Sequence, residues 1–449
     1  MKNCGEMRMS YRFSKYGLAS VTPSPVNRMM ASFATDFRDG VDINLGVGYV
    51  NEKTIPDALL LQAMNEVAAH PEDYRQAFNY GGPHGSPNLI RALRRFYVKH
   101  HIGGVDSDCM SRQEIVIGPS GATSILDALA ELFEPGIVIT ADPMYYIYCN
   151  QLERKGFRVV TVPEEADGLH AERVEERLEE LGDAVKELAF LYVVTVNNPS
   201  GVILSNARKR ALVALAEKWS DMLGRNIPIF FDQAYEWLIH DPAVEPPESA
   251  LLNNARGLAC EIGTLSKVLA PALRIGFIMG APGALMSAIA QKTSDVGFSA
   301  PLLNQEMAAY MLEHHIEGQL RRVNEGYRVK AGAVGDAIDE TLGTWLEKRR
   351  GGKGGFYYYL TLRDIRTDTQ SPFFRFLSRN TGNADIDGTA SKLRPRVVYL
   401  PGEFCVHPAG NAAKEGKRQL RLSYGFEEID VIVRALEYMR EAAAYAQSV

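Results

Sequence analysis

Hydrophobic residues are spaced in two different ways along the chain. Between Glu114 and Met279, short apolar runs alternate with segments whose apolar residues recur at helical spacing. Glu114–Ile117 and Leu188–Val196 are typical of strands buried on both faces, whereas Asn206–Leu223 has the pattern of a helix. The other predicted strands here are Gly136–Thr140, Arg158–Val162, Ile227–Phe231, Gly257–Gly263 and Ile275–Met279. This alternation predicts an α/β unit with a mostly parallel sheet covered by helices.

The pattern changes beyond about Pro301. A long helical run, His315–Asp339, precedes three predicted strands and a terminal helix: Gly355–Leu362, Arg396–Leu400, Leu420–Tyr424 and Glu428–Gln447. This order of elements predicts a smaller α+β domain. The glycine-rich segment 350–355 within it is expected to be a mobile turn. We therefore expect an N-terminal arm with part of the small domain at 1–54, a large domain at 55–310 and a small C-terminal domain at 311–449.

Composition narrows the class of protein. With 449 residues, 46% of them hydrophobic, the chain can bury more than one core. Its net charge is −6 and no basic block stands apart, so we expect neither nucleic acid nor an anionic membrane as a partner. Five scattered cysteines without a CxxC pair suggest neither a disulfide framework nor a zinc site. No stretch reads as a signal peptide or membrane helix, and we expect a cytoplasmic protein.

The first candidate for chemistry is a turn between a strand and a helix. Ser120, Gly121 and Ala122 follow the apolar run that ends at Ile117, and an apolar-periodic helix begins at once. Free backbone N–H groups at a helix start bind phosphate. The segment has neither a P-loop nor a GxGxxG motif, so an ordinary strand-to-helix turn is an equally good interpretation.

The second candidate lies just after the run Ile227–Phe231. Asp232 and Tyr235 would stand past the carboxyl end of a strand, where ligands bind in open α/β sheets. An acid in that position also commonly caps the next helix, so this pattern alone leaves both interpretations open.

The third candidate combines two hydroxyls, an amine and a guanidinium within eleven residues: Thr264, Ser266, Lys267 and Arg274. Hydroxyls and a guanidinium can bind phosphate, and a lysine can form an imine. A solvated basic loop is the alternative. The apolar segment Val268–Leu273 beside the lysine favours a functional site.

Three more residues stand at strand ends or on a strand. Tyr145 and Asn198 lie in turns that follow predicted strands, and such turns are common in any loop. Arg421 alternates with apolar residues in Leu420–Tyr424, so it would lie on a polar face and could bind a carboxylate bidentately. A surface salt bridge explains Arg421 equally well.

Taken together and in order, these segments resemble fold-type I enzymes that use pyridoxal 5′-phosphate (PLP), specifically the class I/II aminotransferases, from about Ile43 to Tyr424. The matching segments are Asn198-Pro-Ser-Gly201, Asp232-x-x-Tyr235 and Thr264-Leu-Ser-Lys267 with Arg274 and Gly276. The resemblance implies the PLP-dependent transferase fold, with a mostly parallel sheet of the seven-stranded type. It also implies PLP as the cofactor.

The resemblance assigns each candidate a role. Lys267 would form the internal aldimine with PLP, Asp232 would pair with the pyridinium nitrogen, and Asn198 and Tyr235 would bond to the phenolate oxygen. Tyr145 would stack on the ring. The phosphate would be bound by Ser120, Gly121, Ala122, Thr264, Ser266 and Arg274.

Two further roles concern the substrate and the assembly. Arg421 would hold the substrate α-carboxylate, with Gly48 and Asn198 nearby. Tyr80 matches the tyrosine that reaches the phosphate of the neighbouring subunit in this family, which implies a homodimer with shared active sites. The family also often has cis bonds before the prolines that match Pro143 and Pro199.

The resemblance implies an enzyme that moves an amino group between an L-amino acid and a 2-oxo acid. A C–S lyase or another β-eliminating enzyme of the same fold is an alternative, because the same carbanion can expel a leaving group. A PLP-binding transcription regulator is another, although the segment before Ile43 is short for a DNA-binding domain. A metal hydrolase or a dehydrogenase has little support, because the sequence lacks HExxH, clustered Cys/His ligands and GxGxxG.

Overall fold

A computed structural model describes residues 11–74, 77–389 and 392–449. The first ten residues of the predicted segment 1–54 lie outside the described residues. The helices are α1 (Lys15–Ser20), α2 (Pro25–Ala34), α3 (Asp57–Ala69), α4 (Pro87–Lys99), α5 (Ser107–Ser111), α6 (Gly121–Leu132), α7 (Tyr146–Arg154), α8 (Ala171–Glu180), α9 (Asn206–Leu223), α10 (Ala284–Asp295), α11 (Leu302–His314), α12 (Ile316–Leu342), α13 (Pro372–Leu377), α14 (Ala384–Asp387), α15 (Ala413–Gly416) and α16 (Ile429–Ser448). The strands are β1 (Ile43–Asn44), β2 (Glu114–Ile117), β3 (Ile137–Asp142), β4 (Arg158–Pro163), β5 (Leu188–Val194), β6 (Ile229–Asp232), β7 (Ala259–Thr264), β8 (Gly276–Gly280), β9 (Leu346–Gly351), β10 (Tyr357–Leu362), β11 (Gly388–Thr389), β12 (Lys392–Leu393), β13 (Val397–Val398), β14 (Leu400–Pro401) and β15 (Gln419–Ser423).

The central sheet has seven strands in the order β2-β8-β7-β6-β5-β3-β4. β8 is antiparallel to both of its neighbours, and the other pairs are parallel. All residues of β3 and β6 are buried, as expected for strands that helices cover on both faces. The predicted fold class is confirmed.

A second sheet has four strands in the order β14-β15-β10-β9, all antiparallel. The prediction of a mobile turn at 350–355 is wrong for its first two residues: Arg350 and Gly351 belong to β9 and pair with Tyr359 and Tyr358 of β10. β9 is an edge strand with mostly exposed, charged side chains. An exposed edge carries no apolar alternation, so its sequence did not indicate a strand.

The N-terminal segment joins the C-terminal part of the chain. β1 pairs in parallel with β13, and α2 packs its apolar residues against Tyr146, Tyr359 and Val398. A larger core runs from the central sheet to the four-stranded sheet without interruption. The division at residues 54 and 310 stays a prediction.

The peptide bond before Pro143 is cis, as the resemblance implied. The bond before Pro199 is trans, so that expectation was wrong. In the described part of the chain, no helix is long and apolar enough to cross a membrane. The cytoplasmic location stays a prediction.

Candidate active site

A cleft opens where the parallel strands of the central sheet end. β5, β6 and β7 run side by side in the same direction, so their carboxyl ends meet at one edge. The cleft has about 670 Å³ of empty space, part of it open solvent. It is lined by predicted site residues, namely Ala122, Tyr145, Asn198, Asp232, Tyr235, Thr264, Ser266, Lys267 and Arg274.

Lys267 points into this cleft from the turn after β7. Its Nζ donates to the carbonyl oxygen of Gly48 at 3.0 Å and lies 5.5 Å from the ring centre of Tyr235. The pKa of Lys267 is lowered to about 8, mainly by burial and then by the charges of Arg421 and Arg274, while the charge of Asp232 partly offsets this. A substantial fraction of this amine is therefore neutral near pH 8 and available as a nucleophile.

Asp232, the last residue of β6, is a buried carboxylate without a cationic partner at ion-pair distance among the described residues. It accepts hydrogen bonds from the Tyr192 hydroxyl at 2.7 Å and from the backbone N–H of Ala234 at 3.0 Å. Burial raises its pKa, although the bond from Tyr192 and the charge of Lys267 oppose this effect. A cation placed against this carboxylate would restore its ionised form.

Tyr192 was not among the predicted site residues. It lies in β5, within an apolar run that the sequence shows as a buried strand. Its cross-strand partner is Phe230, two residues before Asp232, so Tyr192 and the acid share a face of the sheet. Only the pairing of β5 with β6 reveals this contact.

The start of α6 meets Arg274 to form a polar pocket. No side chain caps α6, and the backbone N–H of Gly121 donates to the carbonyl of Arg274 at 2.7 Å. Arg274 in turn donates from Nε to the Ser120 hydroxyl at 3.3 Å and from Nη2 to the Ser120 carbonyl at 3.0 Å. Beside this pocket, the Thr264 hydroxyl donates a hydrogen bond to the Ser266 hydroxyl at 3.0 Å. The pocket thus gathers the types of donor that bind a phosphate group, although the Gly121 N–H is engaged by the Arg274 carbonyl.

Arg421 lies on β15 and is only 1% exposed. Its Nη1 donates to Oδ1 of Asn198 at 2.7 Å and its Nη2 to the Gly46 carbonyl at 2.5 Å, while its buried Nε has no hydrogen-bond partner among the residues that the structure describes. In the described chain it forms no ion pair. The interpretation as a surface salt bridge is therefore wrong, because the side chain is buried and lacks an acidic partner.

Tyr357 on β10 was also not predicted. Its hydroxyl lies 2.8 Å from that of Tyr235, and its ring centre lies 4.4 Å from the Arg421 guanidinium carbon. Burial raises the pKa of both tyrosines. Tyr80, in contrast, lies outside the cleft: it is 83% exposed and its ring contacts Phe298.

The residues fit PLP in the chemistry of their donors. The cleft combines an amine, a buried carboxylate that has no cationic partner among the described residues, and a cradle of N–H, hydroxyl and guanidinium groups. These match the aldehyde, the ring nitrogen and the phosphate of PLP.

The family model for aminotransferase class I and II matches residues 41–365. The chain belongs to this family. The predicted PLP-dependent aminotransferase, with PLP as its cofactor, is confirmed at the level of the family.

Individual relatives are distant. The chain is 25% identical over 327 residues to an uncharacterized HTH-type transcriptional regulator of Bacillus subtilis (strain 168), a match that covers 71% of this chain and 62% of the regulator, less than two thirds of its length. It is 23% identical over 404 residues to aromatic-amino-acid aminotransferase 1 of Thermococcus litoralis, covering 89% of this chain and 87% of that protein. The solved structure of kynurenine aminotransferase from Pyrococcus horikoshii, in complex with PMP, has a TM-score of 0.79 at 25% identity and covers 96% of each chain.

Proposed function

We propose that this aminotransferase transfers the amino group of an L-amino acid to a 2-oxo acid, with Lys267 as the residue that binds PLP and moves the proton. The observation that carries the proposal is the set of groups around Lys267. Lys267, whose pKa is lowered, shares one site with the buried guanidinium of Arg421, which has no carboxylate partner in the described part of the chain. An amino acid supplies both an amine for exchange and a carboxylate for the arginine.

Each of the other residues has a defined task in this proposal. When bound, PLP supplies an aldehyde that takes up amino groups and a ring that withdraws electrons. Asp232 holds a proton at the ring nitrogen, because an ionised carboxylate stabilises the adjacent cation. Lys267 would hold the aldehyde of the cofactor, and its amine would take up the proton from the substrate Cα as a general base and return it as a general acid.

Binding and orientation come from the remaining groups. Arg421 binds the α-carboxylate through its fork of N–H donors, beside Gly48 and Asn198. Tyr235 and Asn198 donate to the phenolate oxygen, and Tyr145 packs on the ring. The phosphate is bound by Ser120, Gly121, Ala122, Thr264, Ser266 and Arg274.

The test is the visible absorption spectrum of the protein with PLP, recorded before and after adding amino acids one at a time, with the Lys267→Ala variant as control. We expect some amino acid to convert the wild-type spectrum, with formation of its 2-oxo acid, while the variant does not turn over. Release of pyruvate and ammonia without an acceptor would instead indicate elimination. A spectrum that no amino acid changes would favour a PLP-binding regulator.

We further propose a homodimer in which Tyr80 of each subunit reaches the phosphate bound by the other. Tyr80 and Phe78 are 83% and 76% exposed, which is unusual for neighbouring aromatic residues unless a partner covers them. Sedimentation equilibrium of the PLP-loaded protein tests the assembly, and a monomer would refute it.

A further inference from the structure

Three consecutive tyrosines on β10 have different surroundings. Tyr357, Tyr358 and Tyr359 are all buried. Tyr358 donates to the Ala331 carbonyl of α12 at 2.7 Å, and Tyr359 donates to the Gln419 side chain at 3.0 Å. The hydroxyl of Tyr357 instead lies 2.8 Å from that of Tyr235, one of the residues that line the cleft.

Tyr357 contacts the substrate side of the cleft as well. Its ring lies against Arg421, with 4.4 Å from the ring centre to the guanidinium carbon. A cation over an aromatic face is attracted to it, so the ring restricts where the guanidinium can lie. The hydroxyl also fills the space beside Gly48, where a Cβ would come within 2.5 Å of it. Gly48 is the residue whose carbonyl accepts from Lys267.

The direction of the hydrogen bond between the tyrosines follows from the proposed function, on which this step rests. A tyrosine hydroxyl has one proton to donate. If Tyr235 donates its proton to the phenolate oxygen of PLP, Tyr357 must be the donor in the 2.8 Å bond to Tyr235. A hydroxyl that accepts a hydrogen bond becomes a stronger donor itself.

We propose that Tyr357 is a positioning residue with two separable effects. Its hydroxyl strengthens the hydrogen bond that Tyr235 donates to the cofactor, and its ring holds Arg421 in the orientation that binds a carboxylate. The first effect concerns the cofactor and the second the substrate.

The test compares two variants of Tyr357 with two matched controls. Tyr357→Phe removes the hydroxyl and keeps the ring, and Tyr357→Leu removes both. Tyr358→Phe and Tyr359→Phe delete a buried, hydrogen-bonded hydroxyl from the same strand outside the cleft. The charged groups near Lys267, namely Arg421, Arg274 and Asp232, are unchanged in all four.

The first measurement is the pH midpoint of the visible absorption change of the PLP-loaded protein without amino acid. Tyr357→Phe loses the hydrogen bond that Tyr357 donates to Tyr235. This loss should raise the midpoint by roughly 0.5–1 pH unit. The controls should match the wild type. A midpoint in Tyr357→Phe equal to that of Tyr358→Phe would overturn the hydroxyl effect. This readout needs no turnover, so it stands apart from the test of the proposed function.

The second measurement is the KM for the amino acid that the spectral panel identifies. Tyr357→Phe should keep KM within about twofold, because the ring remains, whereas Tyr357→Leu should raise it roughly tenfold. Thermal denaturation midpoints of all four variants establish that they fold. Equal KM values for the Phe and Leu variants would overturn the ring effect.

Discussion

The amine of Lys267 should destabilise the cofactor-free protein. Its side chain is largely enclosed, and it has no carboxylate at ion-pair distance among the described residues. Replacing it by methionine keeps the length and removes the charge. We therefore expect Lys267→Met to be more stable than the wild type when no PLP is present.

The magnitude follows from the pKa of Lys267, which burial and the neighbouring charges of Arg421 and Arg274 lower from 10.5 to about 8. A difference of about 2.5 pKa units at 1.36 kcal/mol each corresponds to roughly 3 kcal/mol. Lys267 borders a cleft that admits water, and water screens part of this cost. The variant should therefore gain about 1–3 kcal/mol in the free energy of unfolding at pH 7.

The stability difference between the wild type and Lys267→Met depends on pH with a defined sign. Below about pH 8 both the folded and the unfolded states carry the proton, so the full cost is present. Between about pH 8 and 10.5 the unfolded chain still binds a proton that the folded protein has lost. The wild type therefore gains stability relative to the variant as pH rises through this window, and the advantage of Lys267→Met disappears above it.

Urea unfolding of the cofactor-free proteins at pH 7 and pH 9.5 measures this difference. Lys209→Met is the matched control, because Lys209 is also buried but forms an ion pair with Glu236 at 3.2 Å. Breaking that pair leaves an unpaired buried acid and should destabilise the protein. If Lys267→Met loses stability as Lys209→Met does, or if its gain does not change with pH, the reasoning is wrong.

Four further predictions concern the loaded enzyme. Arg421→Lys should raise the KM for the amino acid by roughly 10–100-fold in steady-state kinetics, because a point charge cannot replace the fork of donors. Asp232→Asn should lower kcat at least about 100-fold while titration gives PLP affinity within about tenfold, because the amide cannot stabilise a charged ring nitrogen. Gly121→Ala should weaken PLP binding more than about tenfold in the same titration: the φ of Gly121 is 65°, and a Cβ would lie 2.8 Å from Nη2 of Arg274. Inactive Lys267→Ala and Tyr80→Ala subunits, once mixed and exchanged, should recover about a quarter of wild-type activity if sites are shared, and no recovery would place Tyr80 in its own subunit's site.

The sequence predicted the parts of the site that lie close together along the chain. Lys267 and Arg274 share one segment, and Asp232 ends an apolar run, so spacing marked them as candidates, while their roles came from the resemblance to the family. β9 was not predicted, because its charged side chains lie at an exposed sheet edge and show no pattern of core-facing apolar residues.

Contacts made across the fold could not be predicted in this way. Tyr192 reaches Asp232 only through the register of β5 and β6. The three tyrosines of β10 are equivalent in sequence, and only their neighbours in space distinguish Tyr357 from the other two.

The charged groups of the cleft differ from the buried ion pair of Lys209 and Glu236. Lys209 and Glu236 are buried as a pair, and each compensates the other. Lys267, Asp232 and Arg421 are largely enclosed in one site, yet in the described chain none has an oppositely charged partner at ion-pair distance. Enclosing a charge without such a partner costs several kcal/mol, so folding alone does not favour this arrangement. PLP and an amino acid supply what each group lacks: an aldehyde for the amine, a protonated ring nitrogen for the acid and a carboxylate for the guanidinium. The destabilisation expected from Lys267 in the cofactor-free protein is thus the counterpart of its role in the loaded one.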